Sequence, residues 1–92
     1  MTENQLYVVS YDIPDDRRRI KVANLLKSYG ERVQYSVFEC WLNRTELTAL
    51  EKALKQRIEA DTDSVRLYRS RKEHVVILGI GTITKNPDVW VA

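Results

Sequence analysis

Residues 32–42 read RVQYSVFECWL, and the division of this run decides the fold. Val33, Tyr35, Val37, Phe38, Cys40, Trp41 and Leu42 make it too apolar and too rich in β-branched and aromatic side chains for anything but extended structure. It is either one long strand or two short ones reversing near Gln34, Tyr35 and Ser36, and no Gly or Asn-Gly pair marks a turn. Both readings place it between two helices. Before it, Pro14, Asp15 and Asp16 suit the positive end of a helix. Ile20, Ala23 and Leu26, with Val22, Leu25 and Tyr29, then recur at helical spacing over residues 15–29, and Gly30 suits a left-handed cap. After it, Asn43 and Glu46 form a capping-box pattern ahead of a buried stripe at Leu47, Leu50, Leu54 and Ile58, with Glu51 and Lys55 as an i,i+4 pair.

The flanks complete the pattern. Residues 6–11 (LYVVSY) predict a central strand buried on both faces. Beyond a polar turn at residues 61–63, residues 65–70 and 75–79 predict two more strands around Arg71, Lys72 and Glu73. The order β-α-β(β)-α-β-β predicts an α+β, ferredoxin-like antiparallel sheet with an additional C-terminal strand. No repeat or linker divides residues 1–92, so one domain is expected, and the apolar segment at residues 82–92 predicts a tail that docks on a partner.

A chain of 92 residues supports one modest core, which makes a homodimer a reasonable expectation. The N-terminus lacks the pattern of a secretory signal, no stretch is apolar enough to span a bilayer, and Cys40 is the only cysteine, so a cytoplasmic protein is expected. Zinc-type Cys/His spacings and phosphate-cradling glycine loops are absent from the sequence, and Gly79-Ile80-Gly81 is too short for a dinucleotide fingerprint. His74 and Cys40 read as structural residues. Net charge is only +2, so any nucleic-acid affinity has to come from clustered cations.

Asp12 closes the first strand where the helix is about to begin. Position alone favours a turn or capping role. As a functional residue it is a Mg²⁺ ligand, because Mg²⁺ keeps several waters and needs only one or two protein carboxylates. One carboxylate per chain is a poor site, whereas two copies facing across a twofold axis are adequate, so a metal at Asp12 requires a symmetric dimer. Asp15 and Asp16 fit helix-dipole compensation better. Arg17, Arg18 and Lys21 share one helical face at the dipole end that disfavours cations, as a grip on phosphate or as a solvated face would, and Arg19 lies to the side. Arg66, Arg69, Arg71 and Lys72 surround Tyr68, which suits a nucleic-acid backbone as well as a charged sheet edge.

The residues at 8–13 (VVSYDI), 15–19 (DDRRR) and 30–39 (GERVQYSVFE) together resemble the small CRISPR-associated endoribonuclease of the spacer-acquisition machinery, the second Cas protein, over essentially the whole chain. The resemblance implies a part in antiviral defence, a ferredoxin-like homodimer, the hairpin division of residues 32–42, and a last strand added to the partner's sheet. It also implies a metal-dependent nuclease in which Asp12 of each chain binds Mg²⁺, with RNA or duplex DNA as substrate. By motif match Tyr11, Arg19, Arg32, Ser36 and Phe38 support Asp12: the arginines hold phosphate, Ser36 donates a hydrogen bond, and Phe38 packs on sugar or base. Its members differ in activity, so the resemblance equally implies a rival role, a non-catalytic dimeric bridge that holds DNA for the CRISPR spacer integrase. Residues 89–91 (VWV) would then dock on that partner.

Overall fold

In the computed structural model, which describes residues 3–87, the chain runs β1 (Gln5–Asp12), α1 (Asp16–Lys27), β2 (Gly30–Gln34), β3 (Val37–Leu42), α2 (Arg44–Lys55) and β4 (Ser64–Ser70), ending in a short 3₁₀ turn at Lys72–His74. Residues 32–42 therefore divide into two strands around a turn at Tyr35 and Ser36. The strands form one antiparallel sheet in the order β2-β3-β1-β4, the ferredoxin-like arrangement.

Side-chain alternation separates the two faces of this sheet. Phe38, Cys40 and Leu42 of β3 and Val9 and Tyr11 of β1 join Val22, Ala23 and Leu26 of α1 and Leu50 and Leu54 of α2 in one core. Cys40 is wholly buried, and burial, with the nearby Glu39 carboxylate adding to it, pushes its thiol up to about 11. Asn43 caps α2 through the full reciprocal box with Glu46, as its spacing predicts.

Several expectations need correction. β1 is central, yet it is not buried along both faces: Val9 and Tyr11 are buried on the helix side, whereas on the other side Leu6 is buried but Val8 and Ser10 are half-buried and Asp12 is exposed, because no layer covers that side at their positions. Ile20 does not join the buried stripe: α1 faces the sheet through Val22, Ala23 and Leu26, and Ile20 falls beside that face, 57% exposed. Gly30 is not a left-handed cap. Ser28 closes α1 in the right-handed region, and Gly30 begins β2 opposite Cys40, where an added Cβ would stand 2.1 Å from the Glu39 carbonyl oxygen. Close strand approach, not handedness, calls for glycine there.

Residues 75–79 form no strand. Strand propensity needs a neighbouring edge to pair with, and the 3₁₀ turn carries the chain past β4, leaving Val76, Leu78 and Ile80 exposed. The following residues return to the chain's own sheet: the Trp41 indole N–H donates to the Thr84 carbonyl (2.7 Å), and Thr84 donates through its hydroxyl (2.7 Å) and backbone N–H (3.2 Å) to Glu39. Residues 88–92, including the expected docking motif at residues 89–91, lie outside the described residues.

Candidate active site

The sheet face turned away from the helices is where β1 delivers Asp12. Strand register sets Asp12 opposite Ser64, Ser10 opposite Arg66 and Val8 opposite Tyr68, and cross-strand partners share a face. Ser10, Asp12, Ser64, Arg66 and Tyr68 accordingly line one cleft of about 320 Å³, with Tyr11 at its edge. The Asp12 carboxylate is exposed and has no hydrogen-bond or ion-pair partner among the described residues. Arg66 donates from Nη1 to the Tyr68 hydroxyl (3.4 Å), which also raises the arginine's pKa.

The backbone under Asp12 is held from three directions. The Tyr11 N–H donates to the Ser36 carbonyl (3.1 Å) and the Tyr11 hydroxyl to the Tyr35 carbonyl (3.4 Å), tying the strand end to the β2–β3 turn. Arg19 donates from Nη1 to the Ile13 carbonyl (3.0 Å) and from Nη2 to Asp16, whose hydrogen bond is the main cause of its raised pKa. Asp15 is the N-cap of α1, its Oδ2 accepting from the Arg18 N–H at 2.9 Å. The two aspartates that competed with Asp12 for a metal are thus engaged in capping and pairing.

Arg18 is a correction. Grouped with Arg17 and Lys21 as a phosphate contact, it instead donates from Nε (2.8 Å) and Nη2 (3.1 Å) to the two oxygens of Asp63. Asp63 also accepts from Thr62 and from the Glu59 N–H. The Arg18 hydrogen bond, more than any other cause, lowers its carboxyl to about 2. The pair fastens α1 to the loop that leads into Ser64, directly across from Asp12.

The remaining sequence candidates do not meet at Asp12. Arg32 is opposite Phe38 in the β2–β3 register, on the helix side, with its guanidinium 5.3 Å from the Phe38 ring centre. Arg19 stands on that side too, and reaches Asp12 only through the backbone it holds. The second basic cluster also splits: Arg66 joins Asp12, Arg69 pairs with Tyr7 on the other parity, and Arg71 lies beside Leu6 and Trp41 at the far end of the strands. Ser10 and Ser64 escaped the sequence reading, although the alternation Ser64-Arg66-Tyr68 is the signal that groups them.

Fit to Mg²⁺ can be judged from the donors present. Among the described residues, no group of three or more His, Cys, Asp or Glu side chains comes together. The described residues of this cleft offer one unengaged carboxylate, Asp12, flanked by two serines, half of a set that Mg²⁺, keeping its waters, accepts. The donors fit as a half-site.

Comparison with known proteins gives a consistent result. The family profile described as "CRISPR associated protein Cas2" matches residues 5–76. A "CRISPR-associated endonuclease Cas2 2" of Thermus thermophilus is 47% identical over 87 residues, 95% of this chain and 96% of that protein. The crystal structure of a hypothetical protein, TT1823, from Thermus thermophilus superposes with a TM-score of 0.81 at 48% identity, covering 89% of this chain and 99% of that one. A chain of a partial Cas6-RT-Cas1–Cas2 complex matches with a TM-score of 0.60 at 29% identity, covering 80% of this chain and 90% of that one. No helix among the described residues is long and apolar enough to cross a membrane.

Proposed function

The chain belongs to the CRISPR-associated protein Cas2 family, and from that premise we propose that it works in the cytoplasm as a homodimeric, Mg²⁺-dependent endonuclease of spacer acquisition. The observation that carries this reading is the unengaged Asp12 carboxylate on the sheet face that no helix covers. A second copy on that face would bring two Asp12 carboxylates together and bury the half-exposed Val8 and Val37 and the exposed Tyr68. The apolar residues Val76, Leu78 and Ile80, exposed in one chain, gain a partner in the same assembly.

In the dimer, Asp12 of each chain would hold Mg²⁺, which when bound polarises a phosphoryl oxygen and lowers the pKa of water. The chain's own residues do the positioning. Arg66, steadied by Tyr68, offers a planar fork to the phosphate, and the Ser10 and Ser64 hydroxyls hydrogen-bond beside Asp12. Arg19, Tyr11 and Ser36 fix the backbone that aims Asp12, so their influence on cleavage is through its placement.

Incubation of the wild type and Asp12→Ala with single-stranded RNA and with duplex DNA, in Mg²⁺ or chelator, tests the assignment. Cleavage confined to the Mg²⁺ arm and lost in the variant is expected; cleavage that survives the substitution overturns it.

The second reading is a non-catalytic dimeric bridge for the CRISPR spacer integrase. It is favoured by the match to a chain of a Cas1–Cas2 assembly, and it needs the exposed cations but no metal. Under this reading Asp12→Ala leaves DNA retention by the integrase complex unchanged, whereas truncation of residues 89–92 reduces recovery of the integrase.

A further inference from the structure

The helix side of the sheet carries a second cleft, away from Asp12, where α1 passes β2 and the β2–β3 turn. It encloses about 220 Å³ and is lined by Arg19, Asn24, Lys27, Arg32 and Tyr35, with Ile20 at the rim. Three features separate it from an ordinary solvated surface. Lys27 and Arg32 have no carboxylate partner among the described residues, so two cations face one small space without neutralisation. Tyr35 is 72% exposed, and the Arg32 guanidinium lies 6.0 Å from its ring centre, so one aromatic face is flanked by positive charge. The Asn24 side chain, which can both donate and accept, has no partner there either.

Unneutralised cations, an exposed ring and a free amide are what a nucleotide needs: phosphate on the cations, base on the ring, base edge on the amide. A duplex presents its bases stacked and inaccessible to a space of this size, whereas an unpaired base can enter it. Asn24 also borders a more open groove of about 720 Å³ lined by Lys21 and by Arg57, whose Nη1 donates to the Ala53 carbonyl (2.9 Å). An acidic peptide would satisfy the cations but leave Tyr35 and Ile20 without a partner.

We infer that this cleft binds one nucleotide of a single-stranded nucleic acid, its base against Tyr35 and its phosphate between Lys27 and Arg32. The inference rests on the reading of the chain as a nucleic-acid-binding protein, and it adds a holding site on the side of the sheet opposite Asp12. One strand could then be gripped outside the metal-binding face.

The test is chemical-shift mapping of the labelled full chain with hexauridylate, hexathymidylate and hexaglutamate, together with affinities by fluorescence anisotropy. Expected are shifts at Asn24, Lys27 and Tyr35 with either oligonucleotide and little response to hexaglutamate. Tyr35→Ala should weaken binding roughly fivefold or more. Lys27→Gln should lower the slope of log K against log salt by about 0.7. Native dispersion in both spectra excludes misfolding. Shifts confined to Ser10, Ser64 and Tyr68, or unchanged affinity in both variants, overturn the cleft and leave the proposed function standing. A stronger response to hexaglutamate reassigns it to acidic peptides, and no response to any probe overturns both readings.

Discussion

Arg18 on the first helix reaches a carboxylate 45 residues away, its Nε 2.8 Å from Oδ2 of Asp63, whose side chain is entirely shielded from solvent. Asp63 also takes the Glu59 N–H at 2.8 Å, so one carboxylate joins α1 to the turn beyond α2. Its pKa lies below the ordinary 3.8, at about 2, so the folded state binds this proton less readily than the unfolded chain. The associated stability is complete above pH 3.8 and is lost as pH falls toward 2. Asp63→Asn should lower the melting temperature at neutral pH and flatten the acid limb of a melting-temperature profile. An unaltered acid limb would show that other carboxylates dominate there.

Asp12 is the contrasting carboxylate, since nothing among the described residues holds it. Asp12→Asn should change unfolding free energy by less than about 0.5 kcal/mol in urea titration, as expected for an exposed, unpartnered site. Cleavage should fall by a hundredfold or more, because the loss of several kcal/mol of metal-derived stabilisation is worth about that much. Stability and activity thus separate at Asp12, and a large stability loss would assign it to the turn instead.

Arg66 shares the Asp12 cleft and leans on Tyr68, so its removal should act on binding as well as on rate. Arg66→Ala should lower the salt slope of nucleic-acid affinity by about 0.7 to 0.9, the signature of one lost phosphate contact. Tyr68→Phe, which keeps the ring and deletes the acceptor of the 3.4 Å hydrogen bond, should have the smaller effect. Equal slopes for wild type and Arg66→Ala would remove Arg66 from the contact.

Some of this was legible from local signals and some was not. The Asn43–Glu46 box sits within one turn, and the run of apolar residues in β1 is contiguous, so both were visible in sequence. The β-prone residues at 75–79 were equally visible, but propensity does not say which edge a strand will pair with, and in the single chain they pass the open edge of β4 without pairing to it. Arg18 looked like a phosphate ligand because its partner is remote in sequence. Arg66 and Arg69 looked like one cluster because period-two alternation, which sends them to opposite faces, matters only once the strand is placed. The grouping of Asp12 with Ser64 needed the β1–β4 register, which no local pattern contains.

Gly30 tests the hairpin at its tightest point. An alanine Cβ would meet the Glu39 carbonyl oxygen at 2.1 Å and the Cys40 sulfur at 2.7 Å, and the first of these is backbone that cannot swing away. Gly30→Ala should therefore destabilise the fold by about 1–3 kcal/mol, the usual cost of overpacking, with a lowered urea midpoint. A neutral result would mean that β2 slides relative to β3, which the bulge between Arg32 and Gln34 makes the natural place for slippage.

The Thr84 contact tests how firmly the C-terminal segment holds the sheet. Thr84 is buried and uses both its hydroxyl and its N–H on one oxygen of Glu39, while its carbonyl accepts from Trp41. Thr84→Val keeps the shape and removes only the hydroxyl, leaving the carboxylate with one fewer donor in a half-buried setting. A loss of about 1–3 kcal/mol, typical of a hydrogen bond to a charged group together with the acceptor left behind, follows for the segment's attachment. In a Trp90→Phe background the emission of Trp41 should shift to the red as its indole gains water. If the emission holds and residues 82–86 keep their amide protection, the Thr84 hydroxyl adds nothing to the attachment, which then rests on the Trp41–Thr84 bond, the Thr84 N–H on Glu39 and the Asn4–Asn86 bond.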